Sequence, residues 1–150
     1  MSDTTPLDTL IDLARQRTDD ALQAFGQAQG KCNQARQQLQ ALHEYSDDYR
    51  HNLQHGMGQG MQTATYRNYS SFLDSLDQAI AQQNGILQSQ QRQLEALRQR
   101  WLDEKRKLDA YVTLATRRTH AADLVAQRRE QRAMDEVSAR LARQPLAYAP

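Results

Sequence analysis

From Leu7 to Leu53 a seam residue returns every three or four positions without a skip: Leu7, Ile11, Ala14, Thr18, Ala21, Phe25, Ala28, Cys32, Ala35, Leu39, Leu42, Ser46, Tyr49 and Leu53. Only Thr18 and Ser46 are polar. Alternation of this kind, held over several heptads, is the seam of a coiled coil. It excludes a sheet and demands a partner helix, because the apolar stripe has no other place to be buried. One class of seam position is mostly alanine, which lets the partner come close.

The partner is the rest of the chain. A second seam starts at Tyr66 and Tyr69 and continues through Leu73, Leu76, Ile80, Gln83, Leu87, Gln90, Leu94, Leu97, Trp101, Glu104, Leu108, Tyr111 and Ala115. Between the seams lies His55-Gly56-Met57-Gly58-Gln59-Gly60-Met61, where three glycines alternate. Glycine costs a helix about 1 kcal/mol relative to alanine and admits the φ > 0 conformations of a tight connection. The alternative, a flexible patch in a straight helix, would leave both seams uncovered. The expected fold is therefore all-α: a long two-helix antiparallel coiled-coil hairpin with a longer second helix. It is read as a single coiled-coil domain over 1–150, with helix 7–54, bend 55–61, helix 62–143 and a loose tail 144–150.

With the tip near Gly58, Leu7 is expected opposite Asp109, Leu42 opposite Asp74, Tyr45 opposite Ser71 and Gly30 opposite Ile86. The second helix then outruns the first by roughly 30 residues, about 45 Å at 1.5 Å per residue. Gly26, Gly30 and Gly85 mark either a slender waist or simple tolerance. Pro6 sits where a helix can begin, and the residues before it read as a disordered lead. Pro145 is expected to end the second helix, since proline disfavours the α region for the residue before it.

Composition narrows the function. Aromatics make up 6% and charged residues 25% of the chain, enough for a thin seam but not a thick core. No apolar run approaches the roughly 18 residues of a membrane span. The opening Met1-Ser2-Asp3-Thr4-Thr5 lacks the basic and apolar regions of a signal peptide. A single Cys32 rules out an internal disulfide framework and fits a reducing cytoplasm. Residues 1–97 hold 7 Lys/Arg against 11 Asp/Glu, whereas residues 98–150 hold 12 against 7. The excess positive charge of the second segment suggests an acidic partner there, or a solvated surface.

Catalytic chemistry has no foothold. The sequence offers no phosphate loop and no Ser/His/Asp or Cys/His set with nucleophilic spacing. A two-helix rod offers no deep pocket in which to exclude water. No enzyme and no cofactor are expected. His51 and His55 are four apart, but no third ligand of a zinc site is evident, so no metal is expected either. Cys32 falls on the seam and reads as a small buried thiol. The run Arg98, Arg100, Lys105, Arg106, Lys107, Arg117, Arg118, Arg128, Arg129 and Arg132 carries the charge that phosphate binding needs. Nucleic-acid binding favours basic side chains on one face with aromatic platforms between them, but Asp103, Glu104, Asp109, Asp123 and Glu130 interrupt this run and the whole chain is nearly neutral at +1. A protein partner is expected, not nucleic acid.

The sharpest signal lies near the tip. Tyr45 stands one step off the first seam, beside Leu42, Ser46 and Tyr49. Phe72 and Ala79 stand one step off the second, beside Leu73, Leu76 and Ile80. A two-stranded coiled coil buries its seam and little else. Tyr45 and Phe72 are therefore expected to stay partly exposed at one level, as a contact site or as capping of a thicker hairpin end.

These residues also carry a resemblance. Gln38-Leu39 with Leu42, Tyr45 and Tyr49, the glycine-rich bend, then Asn68-Tyr69, Phe72-Leu73, Leu76, Ala79-Ile80 and Gln83, followed by Trp101, resemble the flagellar FliJ family. The resemblance implies a non-catalytic stalk of the type III export apparatus, cytoplasmic and peripheral to the inner membrane at the flagellar base. It implies three partners: the hexameric export ATPase FliI, the cytoplasmic domain of the export gate FlhA, and export chaperones. Carried over by position, the gate-binding residues are Gln38, Leu42, Tyr45, Tyr49, Phe72, Leu76, Ala79 and Gln83. For the ATPase end the basic residues Arg117, Arg118, Arg128, Arg129 and Arg132 are the candidates. Mixed charge signs along the second arm set this sequence apart from a stalk of one sign. A generic coiled-coil adaptor or export-chaperone scaffold has the same fold and is the alternative.

Overall fold

The computed structural model describes residues 4–144. Two helices make up the fold: α1, Pro6–Gly58 (53 residues), and α2, Thr63–Arg143 (81 residues). No strand occurs among the described residues. The helices pack as an antiparallel hairpin with the second the longer, as the two seams require.

Helix α1 opens on a reciprocal cap. The Asp8 N–H donates to Thr5 Oγ1 and the Thr5 N–H donates to Asp8 Oδ2, both at 3.2 Å. Two otherwise unpaired donors are thereby satisfied at the helix start. Pro6 takes the first helical position, where a missing N–H costs nothing. Gln144 lies just past α2 as a bend. Pro145 and the rest of the expected tail, with Met1, Ser2 and Asp3 of the expected lead, lie outside the described residues.

The seam is where the periodicity put it. Every α1 seam residue from Leu7 to Leu53 is buried or half-buried. The alanines at seven-residue spacing, Ala14, Ala21, Ala28 and Ala35, are 0–5% exposed, and Cys32 is 0% exposed. These small side chains let the helices approach closely, as the alanine-rich seam predicts. On α2 the seam from Tyr69 to Ala115 is buried or half-buried throughout. Tyr66 is the exception at 43% exposed. It lies in the first turns of α2, beside the end of α1, and lines a shallow cavity with Met57, Met61 and Thr63 instead.

The bend is shorter and later than glycine content alone predicts. Helix α1 continues through Gly56 to Gly58, taking in four residues assigned to the bend, and only Gln59–Gln62 connect the helices. Propagating an established helix gains a hydrogen bond per residue, which here outweighs the glycine penalty. The turn itself falls on Gly60, whose φ of 86° is a conformation that side-chain-bearing residues rarely adopt. Cross-helix neighbours such as Gln38 with Gln83 and Tyr49 with Phe72 centre on Gly60 rather than Gly58. Nearer the rings the expected facing pairs hold to within one or two residues: Tyr45 meets Phe72, next to the expected Ser71, and Leu42 shares a groove with Leu76.

Gly26, Gly30 and Gly85 are not packing contacts. A Cβ built on any of them would meet nothing within 4 Å, so no close helix approach requires them. Gly56 differs, because a Cβ there would run into the Met61 Cε.

Packing divides the chain into two compact units. One is Gln16–Lys105, which contains the turn; the other, among the described residues, combines 4–15 with 106–144. In the first, Phe25 and Trp101 stack with parallel rings 6.0 Å apart, and the Lys105 ammonium lies 5.4 Å from the Trp101 ring centre. In the second, Leu7, Ile11 and Ala14 are buried, with Leu108, Tyr111 and Ala115 half-buried. Beyond Ala115 every described residue is exposed.

Candidate functional site

Within the Gln16–Lys105 unit, the residues just below the turn form an aromatic cluster. Tyr49 and Phe72 are the central pair, with ring centres 4.4 Å apart. Tyr45 joins them at 5.5 Å from Tyr49 and 6.3 Å from Phe72, and Tyr69 lies 5.6 Å from Tyr49. All these separations suit offset or tilted aromatic contacts. The cluster is only partly covered: Tyr45 is 54% and Phe72 38% exposed. Helix geometry gives the reason. Tyr45 and Phe72 each stand one position off a seam, at its flank, where a two-stranded coil has nothing to lay over them.

Beside the rings runs an open groove of about 520 Å³, lined by Gln38, Ala41, Leu42, Tyr45, Leu76 and Gln83. Five of the eight residues named as gate-binding candidates thus line one groove, and Tyr49 and Phe72 adjoin it through their rings. Ala79 is half-buried on the same side of α2, seven residues from Phe72. Ala41 is the lining residue that sequence reasoning missed. Its spacing of three from Gln38 and four from Tyr45 puts it on their face, a signal available once that face was identified.

The members differ in what else they do. Leu76 is buried at 8% exposure and belongs to the seam as much as to the groove. The Gln83 Nε2 donates to the Ala35 carbonyl at 3.3 Å and to Gln38 Oε1 at 3.2 Å. A polar seam residue bonded in this way favours one register over its neighbours. Below the rings, Arg50 Nη2 donates to both carboxylate oxygens of Asp77, at 3.0 and 3.1 Å. The Arg50 Nε donates to the buried Ser46 Oγ at 3.3 Å.

The basic candidates Arg117, Arg118, Arg128, Arg129 and Arg132 are all exposed on α2 beyond the last seam residue. Among the described residues no cluster of three or more His, Cys, Asp or Glu could hold a metal ion. Nor is any helix among them long and apolar enough to cross a membrane.

Fold and surface together define a long antiparallel coiled-coil protein with an exposed aromatic groove beside its turn. Comparison with known proteins gives the family. A family model described as Flagellar FliJ protein matches residues 2–147. A Flagellar FliJ protein of Salmonella typhi is 37% identical over 136 residues, covering 91% of this chain and 92% of the relative. A Flagellar FliJ protein of Escherichia coli (strain K12) is 34% identical over 142 residues, covering 95% and 97%. The chain belongs to the FliJ family of flagellar proteins.

Proposed function

We propose that this protein is a non-catalytic stalk of the flagellar type III export apparatus, acting in the cytoplasm at the inner face of the membrane. Its groove near the turn takes the cytoplasmic domain of the export gate FlhA, and the far end of α2 engages the hexameric export ATPase FliI. Export chaperones are further partners. The observation that carries this reading is the half-exposed Tyr45–Phe72 pair, part of a four-ring aromatic cluster, beside a groove lined by Leu42 and Leu76. Exposed aromatic rings of this kind are anchors for protein partners.

The ATPase end rests on a different feature. From Thr116 to Arg143 every residue of α2 is exposed, and this stretch carries Arg117, Arg118, Arg128, Arg129 and Arg132. An exposed helix with that charge suits a ring lined by carboxylates. The two ends have separate chemistries and can be separated by mutation. Affinity capture with the purified chain, offering the gate domain and the ATPase independently, tests the proposal. Capture of both supports the stalk; capture of neither leaves the family fold serving an adaptor or chaperone-scaffold role.

A further inference from the structure

We propose that the middle of the hairpin, residues 26–38 of α1 against 83–94 of α2, is a built-in waist at which the rod bends, and that the stalk uses this bending. The waist is a property of the chain's own packing, and its use rests on the stalk reading above. The whole stretch lies within the Gln16–Lys105 unit.

Glycine is placed there without a packing reason. Gly26 and Gly30 are four apart, on one side of α1, and Gly85 is on α2. All three are exposed in mid-helix, and a Cβ on any of them would meet nothing within 4 Å. Each nevertheless weakens its helix relative to alanine. Lys31 and Ile86 line one small cavity, so Gly30 and Gly85, their neighbours in sequence, lie at one level of the rod. A glycine on the outer side leaves the helix backbone open to water, where carbonyls tilt outward as a helix curves.

The seam is weak at the same level. Its buried residues here are Ala28, Cys32 and Ala35, all small. Opposite them the α2 seam alternates Gln83, Leu87, Gln90 and Leu94, and all four are only half-buried. The Gln90 Oε1 is buried yet accepts no hydrogen bond within the chain. Such unpaired groups are rare and costly. Gln90 also lines the cavity, of about 180 Å³, together with Ala35. Little buried apolar surface lowers the free energy of local opening, and the glycines and the unpaired carbonyl lower it further.

Rings brace the rod on either side. Phe25 stacks on Trp101 directly before Gly26, and Tyr45, Tyr49, Tyr69 and Phe72 cluster toward the turn. Residues 26–44 and 73–100 contain no Phe, Tyr or Trp. At the edge of the waist the Gln83 hydrogen bonds to Ala35 and Gln38 keep the two helices in register. The rod can therefore bend between the braces without its helices sliding.

Hydrogen exchange of the full chain tests the waist. Protection factors at 27–36 and 84–92 should lie at least about tenfold below those at 14–24 and 94–104. Gly30→Ala and Gly85→Ala should each raise protection in the waist about fivefold, the factor that glycine's helix penalty corresponds to, and leave the flanks unchanged. Gln90→Leu removes the unpaired carbonyl without touching a glycine and should act in the same direction. Equal protection in waist and flanks, or a gain spread evenly over the hairpin, would overturn the waist, whether or not the chain captures the gate domain and the ATPase. Swimming in soft agar, by cells that carry this chain in place of their own FliJ-family protein, tests its use. Gly26→Ala/Gly30→Ala/Gly85→Ala should melt higher than the unaltered chain and yet lose swimming. Full swimming by that variant would overturn the use. Failure to capture the gate domain and the ATPase would end the stalk reading, and the use of the waist with it, without altering the exchange result.

Discussion

Arg50 on α1 grips Asp77 on α2 through a single guanidinium nitrogen that reaches both carboxylate oxygens, while its Nε holds Ser46 on its own helix. The two side chains are about half exposed, 51% and 54%. Exposed pairs contribute about 0–1 kcal/mol because water and salt screen them. Arg50→Ala is therefore expected to lower unfolding stability by less than about 1 kcal/mol, and by less still in high salt. Chemical denaturation at two ionic strengths checks it. A larger, salt-insensitive loss would mean that Arg50 acts chiefly through buried Ser46.

The glycines divide into two kinds with opposite expected outcomes. Gly26 and Gly85 face open space in regular helix. Alanine at either should stabilise the protein by about 0.5–1 kcal/mol, the usual difference in helix propensity. Gly60 has positive φ, so Gly60→Ala strains the turn and should destabilise instead. Thermal melts of the three variants decide between these directions.

The alanine seam leaves no room. Ala21 and Cys32 are fully buried. Ala21→Leu should cost about 1–3 kcal/mol through overpacking. Denaturant unfolding measures that cost, and a neutral result would mean that the helices part more readily than their burial implies.

The far end of α2 should be dispensable for folding. Since every described residue beyond Ala115 is exposed, removing the chain from Arg128 onward buries no less surface in what remains. Stability should change by no more than about 0.5 kcal/mol, as for surface changes generally. Binding to the export ATPase should fall sharply. Intact ATPase binding in that truncation would move the contact elsewhere on the chain.

Much of this molecule is legible in the sequence, and the rest fails for identifiable reasons. Seam phase depends on residue spacing within one helix, so Leu7 to Leu53 and Tyr69 to Ala115 could be read without a partner. Register depends on where the chain turns, and glycine content alone misplaces that point. Gly56 and Gly58 are tolerated inside α1 because the helix is already propagating, and only Gly60 takes the conformation that needs glycine. Pairs that depend on register moved unevenly with it: Tyr45 meets Phe72, one residue from the expected Ser71, whereas Gln38 with Gln83 centres past Gly60. Arg50–Asp77 and Gln83–Ala35 could not be read at all, because such pairs exist only once two helices have a fixed offset. The off-seam exposure of Tyr45 and Phe72 was legible, since it follows from seam phase alone.

The central claim is that the aromatic pair serves a partner more than it serves the fold. Calorimetry of Tyr45→Ala/Phe72→Ala against the gate cytoplasmic domain, paired with a thermal melt, tests it most directly. Loss of half-exposed ring contacts should cost about 1–2 kcal/mol of stability and leave helicity intact. Gate binding should fall at least about tenfold, the scale of an interface anchor. A control at Gln88 and Gln91, both exposed, should alter neither. Collapse of the hairpin would make these rings core, and unchanged gate affinity in a folded variant would assign the groove to another partner; either result contradicts the account.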